Sequence, residues 1–158
     1  MDDFLKNITL LYVEDSRAIR EILSLRLEKK VKNLIVASDG QEGYEKYLEH
    51  KPDVILTDVT MPKLSGIEMA RKIKETDIEI PIVILSAHND ATYLLEAIEL
   101  GISGYLLKPV DRNKMTEVLN AQAKIVCLDK VNKEQQAKIS EQQLILQNIT
   151  NAEQNINF

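Results

Sequence analysis

The sequence predicts an α/β domain built on a parallel sheet of five strands with helices on both faces, and three observations lead there. Five runs of four to six residues, rich in branched apolar side chains, recur through the first two thirds of the chain. That is the length and composition of strands buried on both faces. Each run is followed by a stretch with apolar residues at helical spacing, and strict alternation of the two types gives parallel pairing through right-handed crossovers. Finally, all five glycines and all four prolines lie between Gly40 and Pro109. The tight turns therefore belong to the α/β part, and residues 110–158 are expected to form one long helix.

Length and charge are consistent with that class. A chain of 158 residues with 44% hydrophobic content can bury one sizeable core. A net charge of −5 argues against a dedicated nucleic-acid binder, and no run is apolar enough for a membrane span. The single cysteine, Cys127, permits no internal disulfide, and the chain is expected to be cytoplasmic; Asp2, Asp3 and Lys6 interrupt the start, so no signal peptide is expected there.

Taken in order, Ile8 to Val13 is the first strand, and Ser16 or Asp15 caps a helix whose Ile19, Ile22, Leu23 and Leu27 share one face. Leu34 to Ala37 is the second strand. Ser38-Asp39 opens a helix with Tyr44, Tyr47 and Leu48 inward, closed by Lys51-Pro52. Val54 to Thr57 is the central strand. Ser65-Gly66-Ile67-Glu68 fits a capping box for a helix from Gly66 to Thr76. Ile80 to Leu85 is the fourth strand, with Pro81 tolerated near its start. Asn89 or Asp90 then caps a helix with Leu94, Ala97 and Ile98 inward, terminated by Gly101. Gly104 to Leu107 is the fifth strand, and Asp111 caps the last helix.

The polar residues fall where these strands end. Glu14 and Asp15 follow the first strand, Asp58 the third, Ser86 the fourth and Lys108 the fifth. In a flavodoxin-like, doubly wound sheet of order 2-1-3-4-5 these strands are neighbours, and their carboxyl ends border the ligand crevice. An acid there is a nucleophile, a metal ligand or a helix cap. Three carboxylates close together repel unless a cation joins them, and an all-oxygen site with room for water suits Mg²⁺. With the Lys108 ammonium and the Ser86 hydroxyl, the set forms a receptor for a phosphoryl group on Asp58.

The set Glu14-Asp15, Asp58 with Met61-Pro62 and Gly66, Ser86-Ala87, Tyr105 and Lys108-Pro109 resembles the receiver domain of two-component response regulators. The likeness spans residues 5 to 125. It implies a phospho-acceptor at Asp58, with Mg²⁺ held by Glu14, Asp15, Asp58 and the backbone carbonyl of Thr60. It also implies that Lys108, with a cis bond to Pro109, pairs with phosphoryl oxygens. Ser86 and Tyr105 would be the switch residues, and Thr60 and His88 would tune the loss of phosphate to water. The donor would be a histidine kinase or phosphotransfer protein, with no turnover of a separate substrate. No membrane partner and no direct nucleic-acid contact are expected.

Residues 1–125 are thus expected to be the receiver and 126–158 a helical extension. From Val118, positions Val118, Ala121, Ile125, Leu128, Asn132, Gln135, Ile139, Gln142, Leu146 and Ile149 follow steps of three and four. This is a heptad seam with Asn132 at an a position, which favours a parallel, in-register homodimer or a linker to an output domain. A helix packed back on its own domain is the competing reading, and Asn151 to Phe158 are expected to fray. Two other functions compete. A phosphohydrolase with an Asp nucleophile needs a second acid at Thr60, and a receiver-like module that never takes phosphate would work through its coil alone.

Overall fold

The structure, a computed structural model, describes residues 2–87 and 91–156. After a 3-10 turn at Phe4–Asn7 come β1 Thr9–Val13, α1 Arg17–Glu28, β2 Asn33–Ala37, α2 Gly40–His50, β3 Val54–Asp58, α3 Gly66–Thr76, β4 Ile82–Ser86, α4 Ala91–Glu99, β5 Gly104–Leu107 and α5 Arg112–Ile156. All four strand pairings are parallel and the order is β2-β1-β3-β4-β5, as the sequence predicts. The chain divides into two compact units, residues 1–124 and 125–158.

In the first unit β3 and β4 are buried along their whole length, because central strands of a doubly wound sheet have helices on both faces. Leu11, Val13, Ile55, Ile82 and Ile84 form one core layer with Tyr47, Ile67, Met69, Ala70, Ile73 and Ala97. By strand alternation, Leu10, Tyr12, Val54, Leu56, Val83 and Leu85 line the opposite face, and all are at most 1% exposed. Caps hold the helix starts: Ser16 accepts from the Ile19 N–H, Asp39 from the Glu42 N–H and Ser65 from the Glu68 N–H. The residue after α4 that must adopt a positive φ, at 73°, is Gly101.

Helix phase is where sequence and structure part. Ile19 and Ile22 are exposed on α1, which packs through Leu23 and Leu27. On α2, Leu48 is exposed, while Tyr44 and Tyr47 face in; Gly43 permits the close approach, since a Cβ there would meet Met69 and Val13. On α4, Leu94 and Ile98 point outward and Tyr93 and Ala97 point inward, as does Leu100 just after it. In each case a short helix buries only a narrow stripe, and the surplus apolar residues lie outside it. The expected caps Asn89 and Asp90 lie outside the described residues.

The first turns of α5 bury Met115, Leu119 and Ala123. That stripe is offset from Val118 and Ala121, where the heptad seam begins. In the second unit, residues up to Ile156 are helical, and the last two of the residues expected to fray, Asn157 and Phe158, lie outside the described residues. Ile125, Leu128, Ile139, Leu146 and Ile149 of the seam are all exposed. Among the described residues, no helix is long and apolar enough to cross a membrane.

Candidate functional site

β3 delivers Asp58 to the carboxyl edge of the sheet, and the loop after it is shaped around that residue. The Val59 N–H donates to Asp58 Oδ1 at 2.8 Å, while the Gly66 N–H returns to the Val59 carbonyl at 2.8 Å. A Cβ at Gly66 would collide with the Asp58 carbonyl, so only glycine lets α3 start this close to the acid. β1 brings Glu14 and Asp15 alongside. One carboxylate oxygen each from Glu14, Asp15 and Asp58 lies within 4.8 Å of the others, with Glu14 and Asp58 buried and Asp15 exposed.

Lys108, just past β5, reaches across this cluster. Its Nζ donates to Glu14 Oε1 at 3.0 Å and pairs with Asp58 Oδ2 at 3.2 Å. The peptide bond to Pro109 is cis, and the Lys108 N–H donates to the Ser86 carbonyl at 2.7 Å. Burial acts to lower the Lys108 pKa, but the hydrogen bond to Glu14 and the charges of Asp58 and Glu14 outweigh it and leave the ammonium held above its usual range. Burial, reinforced by the Asp58 carboxylate, raises Glu14 from 4.5 to about 7, against the pull of Lys108. The second Glu14 oxygen, Oε2, is buried without a hydrogen-bond partner among the described residues. A buried, partly unsatisfied carboxylate beside two others is what a hard divalent cation with oxygen ligands would satisfy, so this donor set fits Mg²⁺.

The remaining predicted residues are distributed around this centre. Ser86 is buried at the end of β4. Tyr105 is half-buried against the core layer, and its hydroxyl is buried with no partner among the described residues. Thr60 is exposed one residue beyond Val59. His88 lies outside the described residues. A residue that motif and spacing do not reveal is Arg20, whose guanidinium donates to the backbone carbonyls of Glu14 at 2.9 Å and Asp15 at 3.3 Å. An arginine on the first turns of a helix has many surface uses, and only the fold shows which way this one turns.

A parallel sheet of this order with an acidic centre at its carboxyl edge defines the class of doubly wound α/β domains. Residues 10–120 match the response regulator receiver domain, and the chain belongs to that family. It is 37% identical over 102 residues to the transcriptional regulatory protein AfsQ1 of Streptomyces coelicolor, covering 65% of this chain and 45% of that one. It is 30% identical over 112 residues to the chemotaxis protein CheY of Bacillus subtilis, covering 70% of this chain and 93% of that one. The chain spans about half the length of AfsQ1 and of the similar regulators PhoP of Bacillus subtilis and PhoB of Pseudomonas aeruginosa. Among solved structures, the N-terminal domain of a Wolinella succinogenes protein matches at 35% identity and a TM-score of 0.73, covering 77% of this chain and 98% of that one. A CheX-CheY-BeF₃-Mg²⁺ complex from Borrelia burgdorferi matches at 26% identity and a TM-score of 0.63, covering 70% of this chain and 85% of that one. Receiver domains are signalling modules rather than turnover enzymes.

Proposed function

We propose that this chain is a phosphorylation-dependent switch in which Asp58 accepts a phosphoryl group from a histidine kinase or phosphotransfer protein. The observation that carries the reading is the gathering of three carboxylates within 4.8 Å of one another, two of which, Glu14 and Asp58, share the Lys108 ammonium. An Asp58 oxygen forms the bond to phosphorus as the donor's P–N bond breaks, and the electron pair leaves with the imidazole nitrogen. Lys108 then exchanges its carboxylate partners for phosphoryl oxygens, which needs little movement because its Nζ already stands 3.2 Å from Asp58. Glu14, Asp15, Asp58 and the Thr60 carbonyl would hold Mg²⁺, which supplies charge neutralisation during transfer. The similar CheY crystallised with BeF₃ and Mg²⁺ supports that assignment.

Ser86 and Tyr105 are the switch residues in this reading. Ser86 turns toward the phosphoryl group, and Tyr105, whose hydroxyl is already buried, occupies the space released beneath it. Thr60 and His88 set how fast water removes the phosphate. Turnover of a separate substrate is not expected, because Thr60 stands where a phosphohydrolase needs its second acid. The exposed seam of α5, with Asn132 among its a positions, supports a parallel homodimer as the route by which the state is passed on. A cytoplasmic location is consistent with the response regulator relatives.

Incubation with acetyl phosphate and Mg²⁺, read by intact mass, tests the proposal. The wild type should gain one phosphoryl group, lost on treatment with hydroxylamine, and Asp58→Asn should gain none. An unlabelled wild type that also gives no spectral change with beryllofluoride would instead favour a module that works through its coil alone.

A further inference from the structure

The acidic turn after β1 has to keep two adjacent carboxylates, Glu14 and Asp15, aimed at a third. Side-chain repulsion works against that arrangement, so something must hold the backbone of the turn. On one side the Glu14 N–H donates to the Ala37 carbonyl of β2 at 3.1 Å. On the other side the same nitrogen of Arg20, Nη1, donates to the Glu14 carbonyl at 2.9 Å and the Asp15 carbonyl at 3.3 Å. The Arg20 main chain is itself tied back, its N–H donating to the Ser16 carbonyl at 2.8 Å. The contrast with Arg17, one turn earlier on the same helix, is informative. Arg17 is exposed and spends its guanidinium on Glu21, four residues away on α1.

We propose that Arg20 is a positioning residue for the acidic pocket: its guanidinium, holding the carbonyls of both residues in the Glu14-Asp15 turn, fixes their carboxylates in the geometry that binds a divalent cation. This rests on reading the pocket as a Mg²⁺ site. Two physical effects act together. The paired contact removes the freedom of two successive peptide units, so less order has to be imposed when the ion arrives. Because it binds the backbone carbonyls, the guanidinium also leaves the carboxylate oxygens free for the cation. Groups that orient metal ligands in this way typically affect affinity by roughly 10–100-fold.

The test uses the full chain and Mn²⁺ as the probe, since the sharp paramagnetic resonance of the free ion is lost on binding. Arg20→Met should weaken Mn²⁺ binding by about tenfold or more while its far-ultraviolet dichroism and metal-free melting temperature stay close to wild type. Arg20→Lys keeps the charge on a shorter, non-planar donor and should recover only part of the affinity. Arg17→Gln should bind as the wild type does. A folded Arg20→Met that binds Mn²⁺ within twofold of wild type would overturn the proposal. Full recovery in Arg20→Lys would also overturn it, because charge alone would then explain the effect. If Arg20→Met does not fold, Arg20→Lys decides on the same readout. Wild-type protein that does not bind Mn²⁺ would instead refute the reading of the pocket on which this rests.

Discussion

Replacing Glu14 by glutamine should stabilise the metal-free protein at neutral pH, although it removes a residue from the functional site. Glu14 is 1% exposed and titrates near 7 instead of 4.5, because burial and the Asp58 carboxylate both oppose its ionised form. Ionising it in the folded state therefore costs about 3 kcal/mol more than in the unfolded chain. A raised folded-state value means that the folded protein binds the proton more tightly. The contribution of Glu14 to stability is thus fully present below pH 4.5 and is lost as pH rises through 7. Glutamine at this position cannot ionise, and Lys108 keeps Asp58 as a partner at 3.2 Å, so no buried charge is orphaned. Urea unfolding of both proteins in chelator should show equal stabilities near pH 4.5 and an advantage for Glu14→Gln that grows to roughly 2–3 kcal/mol by pH 8. Millimolar Mg²⁺ should raise the wild type more than the variant and shrink the gap. A variant less stable than the wild type at pH 8 without metal would refute the view that these carboxylates crowd one another.

Other substitutions probe separate parts of the account. Lys108→Ala leaves Glu14 and Asp58 without their cation and should cost about 3 kcal/mol in chelator, a deficit that Mg²⁺ partly restores; equal losses with and without Mg²⁺ would contradict it. Gly66→Ala drives a methyl group into the Asp58 carbonyl and should destabilise by about 2–4 kcal/mol in the same assay, whereas a loss under about 1 kcal/mol would mean that α3 can retreat from the site. Asn132→Val removes the polar residue from the seam of α5, and sedimentation should show tighter self-association with species beyond the dimer; an unchanged monomer in both proteins would rule out the coil.

Much of this architecture was legible in the chain because strands buried on both faces need no phase: any branched apolar run of the right length suffices. Hence β5 and α3 fall where the sequence places them, and parallel pairing follows from the alternation, while the order β2-β1-β3-β4-β5 is that of the flavodoxin-like arrangement. Amphipathic helices do need a phase, and α1, α2 and α4 carry more apolar residues than their buried stripes use, so Ile22, Leu48 and Ile98, inward by spacing, lie outside. For the site, Asp58, Glu14, Asp15 and Lys108 were readable because each stands at or directly after the end of a strand. Arg20 was not, since its role depends on the direction a helical side chain takes back to a turn six residues earlier. The buried hydroxyl of Tyr105 was likewise beyond the sequence, which by itself favours a half-buried tyrosine that keeps its oxygen in water.

The central claim is that Asp58 is the atom-level destination of the phosphoryl group. Borohydride reduction of protein treated with acetyl phosphate and Mg²⁺ converts an acyl phosphate to an alcohol, which tandem mass spectrometry of the peptides then locates. The modified side chain should be Asp58 and no other acid; modification at Glu14, Asp15 or Asp53, with Asp58 intact, would contradict the account.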